Sequence, residues 1–291
     1  MRRETSARAF RLGLVALLAA WLASAPASAQ SDEPGCRPDM ASLRLPIQRV
    51  NLTLPDLALP NLTWANLTWA NLAKDEVRLT FVGHATFLIE TPAGVKVATD
   101  YNDYVRPQAT PDIATMNKAH STHNSRNPDP AIKQVLPGWD PTGAGAAKHD
   151  ITMGDLRVRN VPTNIRSYSG STDFDGNSMF VFEIGELCIA HLGHLHHPLE
   201  PGHLRALGRV DVVLFPVDGS YTLDQEGMLD VLKSLQARVM IPMHFFGGGT
   251  LNRFLARSQD LWPVERREQP VITVTKAGLP AKPTVIVLPG H

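Results

Sequence analysis

From Val77 onward the chain alternates short apolar runs with turn residues, the pattern of a protein built mainly of strands. Val77 to Val82, Thr86 to Glu90 and Val95 to Thr99, the last two separated by a Pro92-Ala-Gly94 turn, predict an antiparallel meander. Further strands are predicted at Leu156 to Val161, Met179 to Ile184, Leu187 to Ala190, Val210 to Phe215, Val239 to Ile241, Val271 to Thr275 and Thr284 to Leu288. Helices are fewer. The clearest spans Leu223 to Gln236, where Met228, Val231, Leu232 and Leu235 share one face and Thr222 with Gln225 offers a capping box. A shorter helix is predicted near Pro201. Strands with helices inserted between them argue for stacked mixed sheets covered by helices, not a doubly wound parallel sheet.

The stretch before Val77 has a different texture. Arg2, Arg3, Arg8 and Arg11 precede an apolar run from Leu12 to Leu22, followed by the small residues Ala27 and Ala29 in an A-x-A arrangement. This predicts a signal peptide over 1–29, cleavage before Gln30, and a mature chain that is exported, periplasmic or extracellular, with no further apolar span of membrane length. Residues 51–75 repeat every five, as in Asn-Leu-Thr-Leu-Pro and Asn-Leu-Thr-Trp-Ala. Five such units cannot bury one another as a free-standing solenoid, so 30–75 is expected to be an extension packed on a main domain of 76–291. The Asn-Leu-Thr triplets match a glycosylation sequon but are read as part of the repeat.

Length and composition then narrow the classes. The 291 residues, 43% hydrophobic, suffice for a full core without metal or disulfide staples. Lys plus Arg and Asp plus Glu both total 28, so there is no excess basic field to attract nucleic acid. Cys36 and Cys188 could pair in an oxidising compartment, but Cys188 falls in a core strand where a free thiol behaves as a small apolar residue, and two unpaired cysteines are expected.

The candidate chemistry is concentrated in histidine. Four of the 11 histidines lie in His191-Leu-Gly-His194-Leu-His196-His197, directly after the strand that ends at Ala190. Imidazole is the commonest metal ligand, and Gly193 lets the loop turn between rings. Three other strand ends add donors: His120 and His123 after Ile113 to Met116, His244 after Val239 to Ile241, and Asp100 after Val95 to Thr99. Each alone is more often a surface or satisfied core residue than a ligand, but together they point to one metal-holding sheet edge.

In this order Gly83-His84-Ala-Thr-Phe-Leu-Ile, Thr99-Asp100, the 120/123 histidine pair, the 191–197 loop, Phe215-Pro-Val-Asp-Gly-Ser-Tyr-Thr-Leu-Asp224 and Pro242-Met-His244 resemble the metallo-β-lactamase superfamily. The branch resembled contains ascorbate-phosphate lactonase and N-acylphosphatidylethanolamine phospholipase D. The resemblance covers roughly residues 77 to 250. It implies an α+β fold, a four-layer αββα sandwich, with one or two ions (Zn2+, or Mn2+/Fe2+) at the sheet edge and hydrolysis by a metal-bound hydroxide.

The chain departs from the pattern that it resembles. The His-x-His-x-Asp-His signature is absent: starting it at His120 or at His123 restores no aspartate. His194 stands where the bridging aspartate is expected, and a mid-pattern histidine is replaced near Asn164 or Arg166. Exchanging carboxylates for imidazoles lowers the negative charge available to hold two adjacent dications, which favours one ion or a softer, nitrogen-rich site. The expected ligand pool is His120, His123, His194, His197 and His244, with Asp100, His191 and His196 as further ligands or supports. Asp100 is the expected general base, and His84 a buttress or substrate contact. Asp218 is the second candidate base, with surface turn residue as its expected role, and Tyr221 or Arg166 is a candidate to stabilise negative charge. The resulting expectation is an exported metal-dependent hydrolase of an ester, lactone or phosphodiester in a small-molecule or lipid-like substrate. The alternative is a non-catalytic metal- or ligand-binding protein on the same fold.

Overall fold

The computed structural model describes Cys36 and residues 72–167 and 169–290. The predicted signal peptide and most of the five-residue repeat lie outside the described residues.

Two mixed sheets form the body. The six-stranded sheet has the order β13-β1-β2-β3-β4-β5, with β1 Val77–Gly83, β2 Thr86–Glu90, β3 Lys96–Ala98, β4 Ile113–Met116, β5 Gln134–Pro137 and β13 Val271–Val274. The eight-stranded sheet has the order β12-β14-β11-β10-β9-β8-β7-β6. Its members are β6 Asp150–Met153, β7 Leu156–Arg166, β8 Thr172–Ile184, β9 Leu187–His191, β10 Val212–Pro216, β11 Val239–Met243, β12 Val264–Arg266 and β14 Thr284–Val287. Three helices occur among the described residues: α1 Pro201–Leu207, α2 Gln225–Leu235 and α3 Gly248–Ser258.

Period-two alternation assigns each side chain to a layer. In β10, Val212 and Leu214 face the core between the sheets, while Val213 and Phe215 face the helices with Met228, Leu232 and Phe254. The inter-sheet core is closed from the other side by Leu79, Phe81, Phe87, Ile89 and Val97. Outside the six-stranded sheet, Ala98, Tyr101, Ala114, Met116, Ile132 and Trp139 pack beneath loop segments, so among the described residues coil takes the place of helix in that layer. The architecture is the predicted sandwich of two mixed sheets with helices.

Two local expectations are corrected. The first turn of α2 is capped by Asp224, whose side chain accepts from Gly227 N, and not by Thr222, whose hydroxyl is drawn to Asp218 at 2.5 Å. The cysteines are paired: Cys36 and Cys188 form a disulfide, although Cys188 is a core-strand residue. Cys36 is itself buried against the start of β10, and its carbonyl accepts from Arg209 N at 2.8 Å, which brings a thiol distant in sequence beside β9.

Strand direction decides where the functional residues gather. β9, β10 and β11 are parallel, as are β3 and β4, so the loops after them leave from the carboxyl ends of their strands. The β1–β2 turn reaches the end of β3 because β2 runs antiparallel to β3. Ligand sites in sheets of this kind lie outside carboxyl strand ends.

Candidate metal centre

His84 sits in the tight turn after the bulge at Gly83, His123 in the loop after β4, and His244 directly after β11. One ring nitrogen from each lies within 4.8 Å of the others. The backbone is bound together here too, since His244 N donates to His84 O at 2.7 Å. His84, Asp100 and His244 all have positive φ (53°, 43° and 55°), a conformation that L-residues adopt at a cost. Five non-glycine residues among those described do so, and three of them meet in this cluster. That concentration marks a site that the surrounding fold over-determines.

Carboxylates hold the rings from behind. Asp100 Oδ2 accepts from His123 Nδ1 at 2.6 Å, and Asp100 Oδ1 accepts from Asn117 Nδ2 at 2.9 Å. Asp218 Oδ1 lies 3.0 Å from His244 Nδ1, an ion-pair distance at an angle short of a hydrogen bond. Both carboxylates are otherwise satisfied: Thr222 Oγ1 donates to Asp218 Oδ1, and the amides of Ser220, Tyr221 and Thr222 converge on its Oδ2. A proton on Nδ1 leaves Nε2 as a bare lone pair, and the two Nε2 atoms of His123 and His244 face each other at 3.0 Å. Two lone pairs at that distance need a proton or a cation between them. His84 Nε2 is buried with no hydrogen-bond partner, a third donor of the same kind.

The protonation equilibria fit cation binding. Burial, reinforced by the neighbouring His244, pushes His84 down to about 3, and burial likewise drives His123 and His194 well below the usual imidazole range. These rings stay neutral, the form that binds metal. Burial lifts Asp100 to about 6. For Asp218 burial acts upward but is outweighed by His244 and by the hydroxyl and amide donors, which hold it well below the carboxylate range.

The remaining predicted residues separate clearly. His194 belongs to the cluster: its ring lies 4.7 Å from that of His123 and 4.9 Å from that of His244, and its buried Nε2 has no partner. His120 packs edge-on against His194 at 4.8 Å, half-buried at the mouth. His191 is corrected as a ligand, because its Nε2 contacts Ala85 O at 2.8 Å and its Nδ1 accepts from Gly193 N. His197 is corrected as well: Nε2 accepts from Asn164 N and Nδ1 donates to Pro198 O. His196 has both nitrogens engaged, one by His194 and one by Arg166, and is a support. Asp100 is corrected as general base, since it is fully buried with both oxygens occupied and orients His123. Asp218 is a buried partner of His244, not a surface turn residue. Arg166 is spent on the carbonyls of Ser220 and Thr222. Asn117 went unread in sequence; only its place after β4, beneath Asp100, reveals its part.

The pair His120/His123 also fits the missing signature in a third register. Its six positions then run from 118 to 123, with Lys118 at the first histidine, His120 at the second, Thr122 at the aspartate and His123 at the last. Lys118 Nζ pairs with Asp173 Oδ2 at 2.7 Å. An ammonium where a second ion would need an imidazole leaves one complete nitrogen cluster. Outside it, Lys118, His120, Arg166, His196, Ser220 and Tyr221 line an open groove of about 430 Å3.

Comparison with known proteins bears on the same region. Residues 78–244 match the family model described as the beta-lactamase superfamily domain. A UPF0173 protein of Pyrococcus abyssi is 24% identical over 61% of this chain and 89% of its own length. A UPF0173 metal-dependent hydrolase of Thermoplasma acidophilum is 26% identical over 59% of this chain and 84% of its own. A solved Thermotoga maritima protein, provisionally described as a zinc-dependent hydrolase of the metallo-beta-lactamase superfamily, superposes with a TM-score of 0.56 at 26% identity, covering 74% of this chain and 100% of that one.

Proposed function

The chain belongs to the metallo-β-lactamase superfamily, and from that premise we propose that it is an exported metal-dependent hydrolase whose ion is held by His84, His123 and His244. The observation that carries this reading is the pair of facing Nε2 atoms at 3.0 Å, each ring backed by its own carboxylate. Carboxylate–histidine pairs of this kind orient metal ligands and raise their basicity. An all-nitrogen donor set suits zinc better than the harder oxygen-seeking ions. A divalent ion there supplies Lewis acidity and activates water.

The chain's own residues do the rest. Asp100, itself held by Asn117, and Asp218 stand behind the rings of His123 and His244 and orient them toward one another. The groove beside the cluster, which it meets at His120, admits a substrate between Lys118 and Tyr221, and exposed Phe246, 5.8 Å from Tyr221, extends an aromatic rim from it. That rim suits a small or lipid-like ester, lactone or phosphodiester. The Cys36–Cys188 disulfide supports a working place outside a reducing cytosol, in line with the arginine-led apolar opening of the sequence.

One observation favours the second reading, a non-catalytic binder. Both carboxylates near the cluster are fully engaged, so neither is free to take a proton from water. The deciding experiment loads the purified protein with zinc and assays p-nitrophenyl acetate and bis(p-nitrophenyl) phosphate. Turnover that disappears in His123→Ala supports the hydrolase; stoichiometric zinc with no turnover of either probe supports the binder.

A further inference from the structure

We infer that His194, which stands at the bridging-aspartate position, is a hydrogen-bond donor in the site and not a ligand, presenting its Nε2–H to negative charge on a bound substrate. The inference rests on the metal reading above and concerns a ring of the cluster that is backed by another imidazole, His196, and by no carboxylate.

Arg166, His196 and His194 form a chain of three groups in which each donor fixes the next proton. Arg166 N is a backbone amide and can only donate; it lies 3.0 Å from His196 Nδ1, with Arg166 Nε a second donor at 3.3 Å. His196 Nδ1 is therefore bare. The neutral ring then carries its proton on Nε2, which is 2.5 Å from His194 Nδ1 and donates to it. His194 Nδ1 is thus an acceptor, and the proton of that neutral ring sits on Nε2. That atom is buried and has no partner within the protein.

Binding a cation through His194 Nε2 would reverse the chain. His194 would carry its proton on Nδ1, and His196 would have to accept at Nε2 and turn a protonated Nδ1 toward the Arg166 amide. Two donors would then oppose each other at 3.0 Å in a partly buried place, which costs a hydrogen bond and adds a repulsion. His123 and His244 face no such conflict, because a carboxylate takes the proton side of each ring.

The ring is also fixed where a donor is useful. Asn177 Oδ1 accepts from His194 N at 2.7 Å, while Asn177 Nδ2 donates to Thr163 Oγ1 and Leu192 O. His194 lies edge-on to both His120 and His123, between the metal cluster and the groove. A buried N–H aimed beside a cation site meets a carbonyl or phosphoryl oxygen as its charge grows, the arrangement of an oxyanion hole. Replacing the expected aspartate by histidine therefore exchanges a negative ligand for a neutral donor.

The test is a long-range proton–nitrogen correlation spectrum of the uniformly 15N-labelled, zinc-loaded protein, with His194 assigned from His194→Gln, beside the zinc content of His194→Ala and His123→Ala. The expected result is a protonated Nε2 and bare Nδ1 for His194, zinc stoichiometry unchanged in His194→Ala, and zinc affinity reduced at least about tenfold in His123→Ala. A bare or zinc-shifted His194 Nε2, or loss of zinc from a folded His194→Ala, overturns the inference. Should His194→Ala not fold, His194→Gln and the spectrum decide alone. Retention of zinc by His123→Ala would instead defeat the metal assignment, and the protonation of His194 would still be read from the spectrum.

Discussion

Nε2 of His123 and Nε2 of His244 face each other at 3.0 Å although their residues are 121 apart in sequence, and each ring has a carboxylate on its far side. Replacing either by alanine removes a ligand and the ring that its buried carboxylate faces, leaving Asp100 to Asn117 and Asp218 to the donors of residues 220–222. We expect the wild-type chain to bind about one equivalent of zinc and each variant to lose it, as read by elemental mass spectrometry after gel filtration. Two tightly held equivalents would contradict the place of Lys118 in the signature.

Asp100 acts through His123. Asp100→Asn keeps the volume but removes the charge that holds the Nδ1 proton. Zinc affinity should fall by about 10- to 100-fold, measured by competition with a chromophoric chelator. Asn117→Ala should move it in the same direction, because Asn117 Nδ2 fixes the other oxygen of Asp100.

Acid should destabilise the metal-free protein. Burial holds His84 near 3 and His196 near 4, and His123 and His194 well below their ordinary value near 6.5, so the unfolded chain takes up protons that the folded one refuses. Stability from these groups is complete above about pH 6.5 and is lost as pH falls toward 4. Asp100, lifted by burial to about 6, acts oppositely, but it is one group against four. Urea midpoints in chelator should therefore decline from pH 7 to pH 5; a flat profile would mean that the rings are not buried neutral.

The disulfide closes a loop of 152 residues between Cys36 and Cys188. In the chain-entropy account such a closure is worth up to about 5 kcal/mol, and removal of native disulfides typically costs about 2–5 kcal/mol. Cys36→Ser with Cys188→Ala should show a loss of that size in denaturant unfolding, with zinc stoichiometry retained, because neither residue touches the site.

Gly193 has φ of +58°, and a Cβ there would come within 2.4 Å of Asn117 Nδ2 and 2.5 Å of Asn177 Oδ1. Those atoms hold Asp100 and the His194 amide. Gly193→Ala should cost about 2–4 kcal/mol from overpacking and left-handed strain, and weaken zinc binding in the same variant. A stable variant with full affinity would show that the two asparagines are not needed where they stand.

Much of the frame was legible because apolar periodicity is a local signal. The meander of β1 to β3, the core strands β9, β10 and β11, and helix α2 all follow from it. α3 has no clear start signal in the sequence because it begins at Gly248-Gly249 with no side-chain cap, and β5 and β6 carry a weak pattern because they are short and partly exposed. The histidine loop was visible as a concentration of one residue type, but which of its rings would ligate was not.

The sequence by itself determined the strand-rich class, the placement of most of the histidines directly after strands, and the turn at Gly193, since these depend on neighbours a few residues apart. Only the tertiary structure decided the roles. It spent both nitrogens of His191, His196 and His197 on nearby groups, brought His84 from the β1–β2 turn into the cluster, buried Asp100 and Asp218 behind His123 and His244, and joined Cys36 to Cys188. The reason is physical: a ring has two nitrogens, and whether one is left for an ion depends on which donors and acceptors distant strands place around it.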